Sequence, residues 1–294
     1  MLRDQGYDVE HLEAPDLKVF DPGFGFSVEA TTVAPSTSGP LADHPNPQSP
    51  EELAAFLSDY MPMKFGSPLL SKLNKRDAQG RHYWEKPDVE GLPFVLAIAD
   101  FHRPADGAML GSMIYSQGGL YQYLYGTRVR IDFDEGRLVL SNIPVTEHLY
   151  NGKRVPSGFF NLPKAENVSA VIFSNAATIA KFDRLGVLAG FAPAMHRYVR
   201  IGYLFDPDPN AFEGIPFQID ISDPRYEEHW GDELQVFHNP HALRPLPVEV
   251  FPDAAHFFYE NGKLTTIDHD RRVLSSMTMI LQIMNDGNCD GLIA

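Results

Sequence analysis

Residues 14–33 read APDLKVFDPGFGFSVEATTV, and the parse of this stretch decides the fold. Pro15-Asp16 opens a short strand running through Phe20. Asp21-Pro22-Gly23 is a turn signal, because proline presets φ and glycine relieves the steric limits on a tight reversal. Phe24 to Val33 is rich in aromatic and β-branched residues, which suit a pleated, half-buried surface. Upstream, Leu2 to Gly6 reads as the last turn of a helix closed by glycine, and Tyr7, Val9 and His11 alternate with acids as another strand. The expected start is a helical turn and a three-strand meander.

Residues 34–50 hold five prolines and no periodicity, so they read as a loop ending at an N-cap, Ser49, with Pro50 opening a helix whose first turn is acidic. A second helix is expected over Pro68 to Arg76. Pro93 to Asp100 (PFVLAIAD) is a continuous apolar run bounded by Pro and Asp, the pattern of a central strand covered on both faces. Met109 to Tyr125 reads as helix despite Gly118-Gly119. Arg128–Asp134 and Arg137–Ile143 alternate around Asp134-Glu135-Gly136 as a hairpin. Val168–Ser174 is a second buried strand, and Tyr198–Phe205, Phe217–Ile221, Leu234–Phe237 and a hairpin around Glu260-Asn261-Gly262 supply more. No internal repeat is visible.

With 294 residues, 44% hydrophobic and 21% charged, the chain has a globular composition. About three quarters of its extended surface can be buried at this size. The lone Cys289 makes no intramolecular disulfide and excludes a cysteine-cluster zinc site, so a reducing compartment is expected. The longest clean apolar run, Phe94 to Ala99, is far too short for a membrane span, and residues 1–20 alternate acids with apolar residues, unlike a signal peptide. A soluble, cytoplasmic protein with no membrane partner is the expectation.

The net charge is −15, from 24 Lys and Arg against 39 Asp and Glu. Such a chain is a poor general binder of polyanions, so a nucleic-acid role requires a local basic patch. Residues 1–60 hold eleven acids against Arg3 and Lys18. From Met61 to Lys86 the sign reverses, with Lys64, Lys72, Lys75, Arg76, Arg81 and Lys86 against Asp77 and Glu85. This basic segment, 64–86, is either a DNA contact or a solvated helix face. Residues 201–294 return to sixteen acids and five bases.

Asp16 heads one expected strand and Glu29 lies near the end of the next, with a tight turn between. Two such carboxylates can converge at one end of adjacent strands, giving the hard oxygen ligands that Mg²⁺ or Mn²⁺ takes while substrate phosphate and water complete the octahedron. The bland reading is a turn-capping aspartate and a solvent-facing glutamate. Asp100 and His102, at the end of the PFVLAIAD run, read as a strand cap or the rim of a site. His238 and His241, and Asp268-His269-Asp270, lie among turn residues without the helical spacing of a two-histidine metal site. His82, Trp84 and Glu85 are expected to end the basic helix by packing on the core. No Gly-x-Ser-x-Gly, Walker-type, His-Glu-x-x-His or dinucleotide glycine pattern is present.

The helical turn, meander, Pro15-Asp16 and Val28-Glu29-Ala30-Thr31 together resemble the PD-(D/E)XK nuclease superfamily, closely over about the first 35 residues and more loosely beyond. The resemblance implies a restriction-endonuclease-like α/β fold with a mixed sheet flanked by helices. It also implies Asp16, Glu29 and the backbone carbonyl of Ala30 as metal ligands. Where the family places lysine, this chain has Thr31, which supplies no cation to orient water or stabilise charge on phosphate. Within the superfamily a neighbouring helix sometimes supplies that group. Lys72 is favoured among Lys64, Lys72 and Lys75, and Lys18, on the same strand face as Asp16, is the other candidate. Family members often carry an acid on the first helix, where only Asp4 is available here. Gln117-x-x-x-Tyr121 resembles the Gln/Tyr helix motif of exonucleases in this superfamily, which implies a role in holding substrate or bracing the metal.

From Lys64 onward, segments such as FGSPLLSKL, YWEKPDVEGLPFVLAIADFH and VSAVIFSNAATIAKFDRLG are similar to a family of bacterial proteins whose activity is not established, which implies a bacterial source. The expected organisation is a nuclease-like α/β core over residues 1–175, with a hairpin insertion at about 128–143. An acidic, strand-rich extension over 176–294 is either separate or part of the same domain. The expected function is a Mg²⁺-dependent DNA phosphodiesterase with a migrated lysine. The alternative is a nuclease-like scaffold that has lost catalysis and binds a protein partner. The two separate on one point: an ammonium within reach of both carboxylates favours the enzyme, and carboxylates turned apart or absorbed in turn hydrogen bonds favour the scaffold.

Overall fold

The structure is a computed structural model, and it describes residues 1–33, 47–100, 112–134, 137–174, 176–191, 195–208, 211, 214–268 and 272–282. At the start of the chain Tyr7 N–H returns to the Leu2 carbonyl at 3.1 Å, with Gly6 at φ +91°. This is a Schellman-type closure of one helical turn. The meander follows as β1 (Asp8–His11), β2 (Leu17–Phe20) and β3 (Gly25–Val33), each antiparallel to the next. Its second turn is built as its composition dictates: Asp21 Oδ1 accepts from both Gly23 and Phe24 N–H at 2.7 Å.

Ser49 caps α1 (Pro50–Ala55) by accepting from Glu52 N–H at 3.1 Å. A π-helical turn over Phe56–Tyr60 carries the helix into α2 (Met61–Asn74) without a break. The expected separate helix starting at Pro68 is therefore corrected. Pro68 sits inside α2, where a proline costs about 3 kcal/mol. That cost is outweighed by the buried face of Met61, Met63, Phe65, Leu69 and Leu73, each side chain worth about 1.5–3 kcal/mol.

The chain continues through β4 (Phe94–Asp100) and α3 (Ser112–Tyr125) to two hairpins, β5 (Thr127–Asp134) with β6 (Arg137–Pro144) and β7 (Glu147–Tyr150) with β8 (Lys153–Pro156). Then come β9 (Val168–Ser174), α4 (Ile179–Leu188), β10 (His196–Leu204), β11 (Ile215–Asp220), β12 (Gln235–His238), β13 (Ala255–Glu260), β14 (Lys263–Ile267) and β15 (Val273–Gln282). The fold is mixed α/β. Eight strands form one mixed sheet in the order β1-β2-β3-β4-β9-β12-β13-β14, with β4 parallel to both β3 and β9. The α1–α2 helix is the crossover between parallel β3 and β4. Strands from beyond residue 175 thus extend the sheet that the meander begins, while β11-β10-β15 form a separate sheet of three.

Alternation along the strands divides the core. Phe94, Leu96, Ile98, Val171, Phe173 and Phe237 pack under α2 and α3. Val19, Phe26, Val28, Val95, Ile172 and Val236 face the other way, onto Leu246, Val250 and Phe251. PFVLAIAD is covered on both faces because each face has its own cluster. α2 and α3 approach closely at glycines. A Cβ on Gly119 would lie 2.8 Å from Met61 Cβ, and one on Gly66 2.6 Å from the Tyr123 ring.

Candidate active site

Asp16 immediately precedes β2. The β2–β3 register sets Leu17 opposite Val28 and Lys18 opposite Ser27, so residue 16 stands opposite residue 29. The two are interlocked: Asp16 N–H donates to Glu29 Oε2 at 3.2 Å, and Ala30 N–H donates to Asp16 Oδ2 at 2.7 Å. Ser27 N–H turns the other way, to the Pro93 carbonyl at 2.8 Å. Because successive residues of a strand face opposite edges, the amide and carbonyl of Ala30 both face the β2 side, where Asp16 lies. The meander therefore gathers two carboxylates and one carbonyl at one place.

Glu29 has a side chain only 5% exposed, so its charge needs a partner inside the protein. Lys72, in the last turn of α2, supplies it through an ion pair with Glu29 Oε1. The Tyr83 hydroxyl lies beside the Glu29 carboxylate. Burial first, then the neighbouring Glu29 and Asp16 carboxylates, push the Tyr83 phenol well above its ordinary range, so it remains protonated. The ammonium groups of Lys72 and Lys86 lie 5.9 and 6.0 Å from the centre of the Tyr83 ring. Tyr83 is the member of this cluster that the sequence did not mark, since its approach to Glu29 is purely tertiary.

Other sequence candidates lie elsewhere. Lys18 holds its ammonium 5.8 Å over the Phe20 ring and bonds neither carboxylate among the described residues. Lys64 is buried and sits in the field of Asp100 and Lys153; burial lowers its pKa, Lys153 adds to that and Asp100 opposes it. Asp100 ends β4 four positions beyond Leu96, the residue opposite Glu29, so Lys64 and Asp100 form a separate charge centre. Lys75 is exposed and its carbonyl is paired with His82 Nδ1 at 3.0 Å.

Of the expected helix pair, only Tyr121 has a described side chain. Tyr121 packs on Tyr125 and on Tyr259 of β13, with ring centres 5.3 and 6.3 Å away. β13 is four strands from β3, roughly 19 Å across a sheet with ordinary strand spacing, so Tyr121 is not brought to the carboxylates. Gln117 belongs to α3, but its side chain is outside the described residues, as are His102, His269 and Asp270. His238 pairs with His256 at 2.9 Å and His241 with Asn161 at 3.0 Å, so the two histidines of HNPH serve different contacts.

The basic segment is thinner than its composition suggests. Lys64 is buried, Lys72 is paired, and Arg81 holds Asp77 at 2.9 Å. Lys75, Arg76 and Lys86 are left without ion pairs among the described residues. The expected packing of His82 and Trp84 is present, but in a 3-10 turn over Tyr83–Glu85, nine residues beyond the end of α2 rather than at it.

Among the described residues no group of three or more His, Cys, Asp and Glu side chains forms a metal cage. Two carboxylates and a carbonyl are instead an open set of hard oxygens, the kind that fits Mg²⁺ or Mn²⁺ when water and substrate supply the remaining ligands. No helix among the described residues is long and apolar enough to cross a membrane. No family model, curated protein or solved structure matches this chain.

Proposed function

We propose that this protein is a Mg²⁺-dependent phosphodiesterase acting on DNA, with a restriction-endonuclease-like sheet in which the site lysine has moved from β3 to α2. The observation that carries the reading is the ion pair between Lys72 and Glu29. Thr31 follows Glu29 by two positions and so shares its strand face, yet it offers no cation. Lys72 delivers one to the same carboxylate from the crossover helix.

Asp16, Glu29 and the Ala30 carbonyl would hold the metal, which when bound supplies Lewis acidity to a phosphate oxygen and lowers the pKa of water. The chain's own residues do the rest. Lys72 Nζ balances the charge of Glu29 and presents its remaining N–H bonds to a water or phosphate oxygen beside it. Tyr83, kept protonated, sets a neutral hydroxyl beside the Glu29 carboxylate. Lys86, over the same ring, adds positive potential for a phosphate in a chain whose net charge is otherwise −15.

A second reading has its own observation. Both carboxylates accept backbone N–H bonds that tie β2 to β3, and this latch serves a scaffold without catalysis that binds a protein partner. Plasmid nicking with Mg²⁺ or Mn²⁺ separates the two. Wild type nicks and Lys72→Met does not under the enzyme reading. Under the scaffold reading neither nicks.

A further inference from the structure

A cleft of about 290 Å³ opens beside Trp84, the residue after Tyr83. Arg76, Lys164 and Arg244 line it, from three separated parts of the chain. None of the three takes part in an ion pair among the described residues, in a protein with 39 acids to 24 bases. Cations so outnumbered are ordinarily neutralised by a neighbour, and here they converge on one space instead.

The cleft is built. His82, only 2% exposed, stacks on Trp84 at 4.6 Å with the rings 6° from parallel. Its Nδ1 faces the Lys75 carbonyl at 3.0 Å, and a carbonyl only accepts, so Nδ1 carries the proton. Nε2 is then an acceptor, and Lys164 Nζ donates to it at 3.1 Å. Lys164 Nζ is thereby held against a neutral ring, with two N–H bonds remaining. Its backbone sits at φ +74°, a region unfavourable to residues with a Cβ and found in ligand clamps. Arg76 is anchored through Nη1 on the Gly80 carbonyl at 2.5 Å, which leaves the rest of its guanidinium available.

Two acids also border the cleft. Glu85 is engaged by His82 N–H at 2.7 Å, and Glu90 is exposed. Three cations against two acids leave a net positive cleft.

We propose that this cleft binds a phosphate group, through the guanidinium groups of Arg76 and Arg244 and the ammonium of Lys164. The assignment stands apart from the metal reading of Asp16 and Glu29. The phosphate is either the free ion or one carried by a nucleotide. Guanidinium forks match its oxygens in pairs, and a multiply charged anion gains from several converging cations.

The test is calorimetric titration at low ionic strength with inorganic phosphate, thymidine 5′-monophosphate and thymidine. The proteins are wild type, the double variant Lys164→Gln with Arg244→Gln, the conservative Arg244→Lys, and Asp16→Ala. Both phosphate-bearing probes should bind wild type and Asp16→Ala alike and thymidine should not. The neutral double variant should bind at least about tenfold more weakly, and Arg244→Lys should lie between. Tighter binding of the nucleotide than of phosphate identifies a nucleotide source, and equal binding identifies the free ion. Unchanged thermal melting of the double variant shows that folding is not the cause. Absence of saturable phosphate binding to wild type, or equal affinity in the folded double variant, overturns the proposal.

Discussion

Lys72 of α2 and Glu29 of β3, 43 positions apart in the chain, are joined in an ion pair at the end of the β2–β3 pairing, where Asp16 also lies. The contact ties the crossover helix to the meander. It also neutralises a carboxylate that is otherwise almost fully buried. Lys72→Met leaves that charge unpaired, and removing one partner of a buried pair costs about 3–5 kcal/mol. Lys72 itself is 26% exposed, so water recovers part of this and a loss of about 2 kcal/mol is expected. The double variant Lys72→Met with Glu29→Gln, which removes the charge but keeps an acceptor for Asp16 N–H, should regain most of that loss in urea unfolding. No regain would mean that the pair is not formed in solution.

Gly118 and Gly119 are neighbours in α3 with opposite surroundings. An added Cβ at Gly118 meets nothing within 4 Å, whereas at Gly119 it meets Met61 Cβ at 2.8 Å, close to the backbone of α2. Gly118→Ala should stabilise by up to about 1 kcal/mol through helix propensity. Gly119→Ala should destabilise by about 1–3 kcal/mol through overpacking. Thermal melts of the two variants check the contrast, and equal effects would contradict the helix crossing.

His238 is buried on β12, and burial, followed by the proximity of His256, lowers its pKa to about 3. The folded state therefore binds this proton less readily than the unfolded chain, whose histidine titrates near 6.5. Between those values the unfolded state holds more protons, so stability falls as pH drops, by about 1.4 kcal/mol per unit for one such group. His256 is shifted the same way by burial and steepens the fall. Urea unfolding between neutral pH and pH 4 should show this slope, and His238→Gln should flatten it by about one proton. An unchanged slope in the variant would place the titration elsewhere.

How much of this was legible in the sequence depends on the range of the contact. The turn at 21–24 was legible because Asp, Pro and Gly act locally, and with it the register that sets residue 16 opposite 29. PFVLAIAD was legible because a strand buried on both faces needs no polar alternation. Asn151-Gly152, both at positive φ, is the local signal of the β7–β8 hairpin. The continuity of the helix through Pro68, the meeting of Tyr83 with Glu29, and the entry of β12–β14 into the first sheet depend on tertiary burial that no local pattern encodes. The Gln117 and Tyr121 spacing has the same limit: i and i+4 fix a common helix face, but not which part of the sheet lies beneath it.

Burial also decides which ion pairs matter for stability. Arg184 holds Glu228 through two bonds of 2.8 and 2.6 Å, with the Glu228 side chain wholly buried. Arg154 and Glu147 are paired on the surface at 62% and 49% exposure. Glu228→Ala should cost about 3–5 kcal/mol because it strips a buried guanidinium of the carboxylate that takes two of its bonds. Glu147→Ala should cost less than about 1 kcal/mol. Denaturant unfolding of both variants measures the difference, and similar losses would contradict the buried network.

The most direct measurement of the metal reading is calorimetric titration of Mn²⁺ and Mg²⁺ into wild type and into the double variant Asp16→Ala with Glu29→Ala, with plasmid nicking run alongside. Saturable binding to wild type that disappears in the folded double variant, together with metal-dependent nicking, is the predicted result. Wild type that binds neither ion at millimolar concentration would contradict it and leave the carboxylates as a latch between β2 and β3.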